Sequence, residues 1–374
     1  MIIHFTTVHA RDDSRIRSKE LASLAKAFSG EVALYVQDGL GDEIDPEHGY
    51  RVVDTGPRLR RIPRMFLGGW RMLRAVAKAR PRVAHFHDPE LLPWAIFLGL
   101  LGAKVVYDVH EDVPRQVREK REIPVIARYL LPPFVVFAEW IGARLISGLV
   151  APTQVIVDRF PAHKTALVRN FPLLAELHQP NGRPMADRPM EFTYIGTISE
   201  NRNIYAMIEA VTHLRPPACF RLAGTFDTPA TKAGAIEMPE WPSTRFEGRV
   251  SRKGVAAILA DSRAGLVILK PVEHEMETLP IKLFEYMAAG LPVISSDFPV
   301  WREIVEGTNC GLLVDPMNMS AIVAAMQWIA DHPREAEEMG RRGRRAVEQQ
   351  YNWSPEAETL IDFYRCKLGV ETAQ

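Results

Sequence analysis

Only three cysteines occur in 374 residues, Cys219, Cys310 and Cys366, far apart and with no Cys-x-x-Cys among them. That spacing excludes a disulfide framework and a cysteine zinc site, and it fits a reducing cytoplasm. An excess of charge is missing too: 46 Lys+Arg balance 46 Asp+Glu, so no summed field recommends a nucleic-acid partner. The first residues, Met1-Ile-Ile-His-Phe-Thr-Thr-Val-His9, have no basic n-region, and Arg11, Asp12 and Asp13 cut the apolar run short; a first β-strand is expected there, not a signal peptide. Long uncharged runs are equally scarce. The most apolar stretch, 123–151, is broken by Arg128, Pro132, Pro133, Glu139 and Arg144, and it is expected to form helices packed against a sheet. Internal repeats, low-complexity tracts and Asp-x-Asp pairs are absent.

What is present is ordinary globular composition, 47% hydrophobic and 25% charged, in a chain long enough for two domains. Short apolar runs alternate with helical patterns: 2–6, an amphipathic stretch with Ile16, Leu21, Leu24 and Phe28, then 32–36, 83–87, 105–109, 149–151 and 166–169. A second series follows at 192–195, 220–223, 245–247, 266–269, 293–295 and 312–314. Strands alternating with helices imply α/β architecture with parallel sheets covered on both faces, here as two doubly wound, Rossmann-like halves. The segment 171–190, rich in Pro, Asn, Gly and Arg, reads as the linker, giving domains at 1–178 and 185–350. Ser354-Pro355-Glu356 reads as a helix start, and the amphipathic helix 353–369 is expected to pack back on the first domain.

In open α/β sheets ligands bind beyond the carboxyl ends of the strands. His9, Arg11, Asp12, Asp13, Ser14 and Arg15 follow the first strand; they read either as a charged functional loop or as a solvated one with Ser14 as a helix cap. Alternation puts His85 and His87 on one side of a strand, a spacing suited to a metal, but no third ligand with matching spacing stands out and no metal is expected. His110 ends the next strand, where an imidazole reaches outward. The densest signal runs from Glu277 to Asp297. There Thr278, Leu279 and Pro280 lead into a helix in which Pro280 occupies the first turn, Gly290 closes the end and Glu285 lies between. Free amides at such a helix start bind an anion, typically phosphate, and a carboxylate such as Glu285 accepts the hydrogen bonds of a ribose diol.

Glu277 and Glu285 form an E-x7-E pattern. With Asp12-Asp13-Ser14-Arg15-Ile16, Lys19-Glu20, His85-Phe-His87-Asp88-Pro89-Glu90, Tyr107-Asp-Val-His110-Glu-Asp-Val-Pro114, Tyr194-Ile-Gly196-Thr197 and Val314-Asp315-Pro316, the chain resembles the retaining, nucleotide-sugar-dependent glycosyltransferases of family 4. The resemblance implies the GT-B fold, two Rossmann-like domains facing a central cleft. It also implies that Glu285 holds the nucleotide ribose, that Glu277 and the amides of Thr278, Leu279 and Pro280 face the donor sugar and its diphosphate, and that His110 approaches the donor sugar from the other domain. Where many members carry Gly-Gly after the first strand this chain has Arg11 to Ser14, with Asp13 and Arg15 as candidate substrate contacts. Where members often have Gly-Arg and then Lys-Gly it has Gly196-Thr197 and Arg202-Asn203. Arg202, then Lys282, are the expected phosphate cations, because a leaving diphosphate needs its charge neutralised. Without an Asp-x-Asp, metal-independent transfer is expected and no cofactor beyond the nucleoside-diphosphate-sugar co-substrate.

One local patch departs from the neutral total. Residues 58–82 hold nine basic side chains and no acidic one, interleaved with Met65, Phe66, Leu67, Trp70, Met72 and Leu73. Basic and apolar together fit an anionic bilayer surface or a lipid-linked acceptor; a solvated arginine face over a core stripe is the other reading. The expectation is thus a cytoplasmic hexosyltransferase-type enzyme, with peripheral contact at the inner membrane surface, that transfers a sugar to a glycan or lipid-linked acceptor in cell-surface polysaccharide or glycolipid synthesis. A nucleotide-sugar epimerase of GT-B fold and a non-catalytic nucleotide-sugar-binding subunit remain open as alternatives.

Overall fold

The computed structural model describes residues 1–28, 31–110, 112–119, 124–177 and 183–371; Glu111 of the histidine motif, Ile123 and the residues around the expected boundary at 178 lie outside them. The chain forms two units, Met1–Asn170 with Ser354–Gln374, and Phe171–Trp353.

Among the described residues the first unit holds eight strands, β1 (Ile2–Phe5), β2 (Val32–Val36), β3 (Glu43–Ile44), β4 (Arg51–Asp54), β5 (Val83–Phe86), β6 (Lys104–Asp108), β7 (Gly148–Ala151) and β8 (Thr165–Leu167), in the order β3-β4-β2-β1-β5-β6-β7-β8. All pairings are parallel except β3 with β4. Every residue of β1, β2, β5 and β7 is buried, as expected of parallel strands covered on both faces. The two faces differ in chemistry. Ile3, Phe5, Ala84, Phe86, Val105 and Tyr107 point into a hydrophobic cluster, so the period of two sends His4, His85, His87, Asp108 and His110 to the opposite face. Tyr364, near the C-terminus, meets that polar face through hydrogen bonds to His4 and His85.

Three helices of this unit lie side by side: α1 (Gly69–Ala79), α2 (Leu92–Leu100) and α3 (Val125–Leu145). Two small residues permit the approach, since a Cβ on Gly69 would strike Trp94 and one on Gly142 would strike Leu92. Here the structure corrects the sequence reading. The apolar stretch is a single 21-residue helix that does not pack away its apolar surface: Ile126, Tyr129, Phe134 and Phe137 are exposed, and the buried contacts come from Pro132, Glu139, Gly142 and Ala143.

The second unit holds β9 (Glu191–Ile198), β10 (Cys219–Phe226), β11 (Thr244–Gly248), β12 (Ala264–Val267), β13 (Val293–Ser296) and β14 (Gly311–Val314), all parallel in the order β11-β10-β9-β12-β13-β14. A second correction concerns the expected linker. Phe171, Leu177 and Met185 are buried in this unit's core, with Phe171 edge-on to Phe284 at 4.8 Å, so the segment is part of the unit and the division falls at Asn170–Phe171.

Candidate functional site

In the second unit the strand ends carry two facing glycines. Gly196 of β9 pairs with Gly224 of β10, with φ of +136° and +137°, a region that side chains avoid. A Cβ on Gly224 would lie 1.8 Å from the Gly196 carbonyl oxygen, and one on Gly196 would lie 2.4 Å from Lys282 Cε. The missing side chains therefore let Lys282 lie across the strand end, where its Nζ sits 5.3 Å from the centre of the Tyr194 ring. Burial and the neighbouring Arg202 lower the Lys282 ammonium to about 8, against the pull of Glu285 and Glu275.

Arg202 follows β9 in a turn closed by its own N–H to the Ser199 carbonyl, and its Nη1 donates to Glu275 Oε2 at 3.0 Å. Asn203, in left-handed conformation, donates its Nδ2 to the Pro316 carbonyl at 2.7 Å. Thr197 lies exposed beside Gly196. The loop after β12 is fixed from several sides. Ser296 Oγ bonds both the N–H and the carbonyl of Leu269, Lys270 N–H donates to the Asn201 carbonyl, and Trp301 Nε1 donates to the Thr278 carbonyl at 2.7 Å. Glu277 is exposed, and Thr278, Leu279 and Pro280 are half-buried.

That loop enters α4 (Ile281–Ala288). Pro280 stands just outside as an extended cap residue and not in the first turn as expected, because its ψ of 121° is not helical. Gly290 ends the helix at φ +72°, as anticipated from its lack of a Cβ. Glu285 accepts from Arg252 Nη1 at 2.7 Å, and Arg252 also donates to Glu176 at 2.7 Å. Gly196, Arg202, Lys282 and Glu285 thus share one neighbourhood. Glu275 and Arg252, which set the orientation of Arg202 and Glu285, had no motif to mark them; only their contacts across 73 and 33 residues of sequence reveal them.

In the first unit His110 follows β6, with Nε2 3.1 Å from Asp108 Oδ2 and 2.9 Å from His87 Nδ1. Burial opposes ionisation of Asp108, yet Arg15 and His110 hold its carboxyl well below the usual range, while burial pushes His87 down to about 4. The His9 ring lies against that of His110 at 4.3 Å, tilted by 35°, and pairs with Asp13 at 3.4 Å. Asp13, not Ser14, caps the following helix, accepting the N–H groups of Arg15 and Ile16. Arg15 departs from its expected role as a substrate contact. Its side chain is 3% exposed, and it spends its donors on both oxygens of Asp108 and on the Val168 carbonyl. An arginine so enclosed holds the strand ends together and presents no face to a ligand.

Within 58–82, Met72 and Leu73 are buried whereas Ile62, Phe66, Leu67 and Trp70 are exposed. Arg60, Arg61 and Arg74 are exposed as well, but Arg64 is held by Glu90 at 2.6 and 3.0 Å.

Residues 178–346 match the model of the glycosyl transferases group 1 family. D-rhamnosyltransferase WbpZ of Pseudomonas aeruginosa is 27% identical over 165 residues, 44% of this chain and 42% of that protein; the match thus spans less than half of this curated relative. Among solved structures, sucrose-phosphate synthase from Thermosynechococcus elongatus is similar with a TM-score of 0.76 at 17% identity, covering 97% of this chain and 98% of the other. Anabaena HepE in complex with UDP is similar with a TM-score of 0.71 at 12% identity over 97% and 99%. Residues 178–346 are thus similar to the group 1 glycosyl transferases, and the chain carries the GT-B fold.

Proposed function

We propose that the protein is a retaining glycosyltransferase that moves a sugar from a nucleoside-diphosphate-sugar to a glycan or lipid-linked acceptor in cell-surface polysaccharide or glycolipid synthesis. The observation that carries this reading is the group at the strand ends of the second unit: a side-chain-free strand end at Gly196, two cations in Arg202 and Lys282, and a carboxylate in Glu285 oriented by Arg252. Glu285 binds the ribose diol. Arg202, Lys282 and the N–H groups beyond Thr278 and Pro280 take the diphosphate, whose charge grows as the bond from the anomeric carbon to phosphate oxygen breaks. The acceptor hydroxyl oxygen bonds that carbon on the face the diphosphate leaves, and its proton passes to the departing phosphate oxygen. Thr197 and Leu279 line the approach to the diphosphate, and Glu277, His110 and Asp13 contact the sugar substrates. No added Mg²⁺ or Mn²⁺ is required, because the diphosphate is neutralised by side chains and helix amides.

Peripheral attachment to an anionic cytoplasmic membrane surface supports the lipid-linked acceptor. Exposed apolar side chains stand on each of the three neighbouring helices or the turn before them, Phe66 and Trp70, Phe97 and Leu100, and Phe134 and Phe137 of α3, and Arg60, Arg61 and Arg74 are exposed near the first pair in sequence. Monomeric soluble proteins rarely expose contiguous apolar patches beyond a few hundred Å². By length and composition α3 could cross a bilayer, but Glu139 bound to Arg159 and Gly142 against Leu92 tie it to the unit, so it lies along the surface.

Purified protein offered uridine-, guanosine- and adenosine-diphosphate sugars with and without acceptor tests the reading. Acceptor-dependent release of nucleoside diphosphate, with the anomeric configuration of donor and product equal by NMR, is expected. Isomerisation without acceptor would instead assign an epimerase, and binding without turnover a non-catalytic subunit.

A further inference from the structure

On the polar face of the first sheet, four fully buried side chains from three separate segments converge: His4 of β1, Glu20 of the helical turn 14–21, His85 of β5 and His87 directly after it. Each offers one ligand atom, and these atoms lie within 4.8 Å of one another. We propose that they form a closed, four-coordinate site for a divalent transition metal of the zinc class, separate from the donor-binding residues of the second unit.

The contacts around the rings turn one nitrogen of each histidine into the cluster. His4 Nε2 and His85 Nδ1 are occupied by the Tyr364 hydroxyl, at 3.1 and 2.6 Å, and His87 Nδ1 lies 3.3 Å from Asp108 Oδ2. His85 Nε2 has no hydrogen-bond partner among the described residues, while His4 Nδ1 and His87 Nε2 share a hydrogen bond that an ion between them would replace. Their other nitrogens are held by a phenol and, for His87, by the Asp108 carboxylate together with His110 Nε2 at 2.9 Å, and such outer partners orient metal-binding imidazoles. Glu20 completes the set. Neither of its oxygens receives a hydrogen bond, and neither does His85 Nε2. Arg15 Nε lies 3.0 Å from Glu20 Oε1, but its single proton goes to Asp108. Burying His85 Nε2 without a hydrogen bond, and the Glu20 carboxylate with the Arg15 ion pair alone, is costly, and a cation bound by all four would remove the deficit at once.

The four donors, within 4.8 Å of one another, would draw in around a zinc ion, and two of their separations already match it. Donors bound at about 2.0–2.1 Å in a tetrahedron stand about 3.3 Å apart; His4 Nδ1 is 3.0 Å from His87 Nε2 and 3.7 Å from Glu20 Oε2. Three imidazoles favour zinc, cobalt or nickel over magnesium or calcium, which prefer oxygen. Four protein ligands and complete burial leave no open position, so the ion would act structurally. It would join β1, β5 and the first helical turn and, through Tyr364, the C-terminal helix.

The test is metal content and not activity, so it stands or falls apart from the transferase reading. Protein made without a polyhistidine tag, in medium supplemented with zinc, is dialysed and analysed for metals; about one zinc per chain is expected. Glu20→Gln and His85→Gln should lose it, whereas His213→Gln, on an exposed position, should keep it. Because buried variants can fail to fold, wild-type protein is also stripped with a strong chelator: its melting temperature should fall and recover with zinc, since an ion bound to the native state stabilises it. Folded wild-type protein that lacks stoichiometric metal and whose melting is indifferent to zinc would overturn the proposal. So would folded Glu20→Gln and His85→Gln variants that retain the ion.

Discussion

Glu285 and Lys282 show how a single side chain acquires a role from its neighbours. Held by Arg252 at 2.7 Å, the Glu285 carboxylate is kept in place before any ligand arrives, which lowers the cost of ordering it on binding. Glu285→Ala should weaken nucleoside-diphosphate binding about tenfold or more, the worth of a hydrogen bond to a charged group, with the melting temperature of the free protein little changed; unaltered affinity by calorimetry would remove Glu285 from the site. Lys282 adds a pH dependence. Its pKa near 8 means the free protein carries the ammonium below that pH and loses it above. Diphosphate affinity should therefore fall as pH rises through 8, and Lys282→Met should flatten that fall; equal slopes for the two proteins would show that another group titrates. Arg202→Ala and Glu277→Ala should lower kcat more than the melting temperature, because their contacts strengthen as the diphosphate leaves. Glu277 and Glu285, both proposed for the site, stood out in the sequence because a fixed spacing marks them, and the structure places Glu285 beside Lys282 and Arg252. Arg252 and Glu275 did not stand out, being brought in by strand order alone. Arg15 misled for a related reason: a charged residue in a loop-like stretch reads as exposed until Asp108, 93 residues away, is seen to enclose it.

At the scale of elements, strands were legible where both faces are covered, because such strands are short continuous apolar runs. β3 and β4 escaped notice since β3 has two residues and β4 begins on exposed Arg51. The segment 171–190 failed in the opposite direction: its prolines and glycine read as a loop although Phe171, Leu177 and Met185 sit in a core. Helix α3 failed most informatively, since hydropathy reports what a residue avoids and not what covers it. If lipid covers it, liposomes with anionic lipid should bind the protein at low salt and release it as salt rises. Arg60, Arg61 and Arg74 changed together to Glu should abolish binding, at about 1 kcal/mol for each basic residue near the surface. Phe134→Ser with Phe137→Ser should weaken it without changing its salt dependence. Wild-type protein that ignores such liposomes would return the arginines to a solvated face.

At the scale of the whole chain, the two hydrophobic clusters share no residue, and each lies inside one unit. The second unit is continuous in sequence, Phe171–Trp353, and holds every residue proposed to bind the diphosphate and ribose. A fragment of residues 171–353 should therefore melt cooperatively and bind nucleoside diphosphates with an affinity close to that of the full chain. The first unit is discontinuous, and its second piece does work that residues 1–170 cannot replace. Phe363 packs on Gly148 where a Cβ would lie 2.4 Å from its ring, Leu360 and Leu368 are fully buried, and the Tyr364 hydroxyl meets both His4 and His85. Losing three such apolar side chains costs on the order of 1.5–3 kcal/mol each, and leaving one nitrogen of each of two buried imidazoles without its hydroxyl partner adds about 1–3 kcal/mol each. Together these approach the 5–15 kcal/mol that holds a typical domain folded. Residues 1–170 alone should show no cooperative melting, whereas the same residues joined by a short flexible linker to 354–374 should regain it. A sharp transition for 1–170 by itself, followed by calorimetry, would show that the tail is dispensable and that the polar face of the sheet is satisfied without Tyr364.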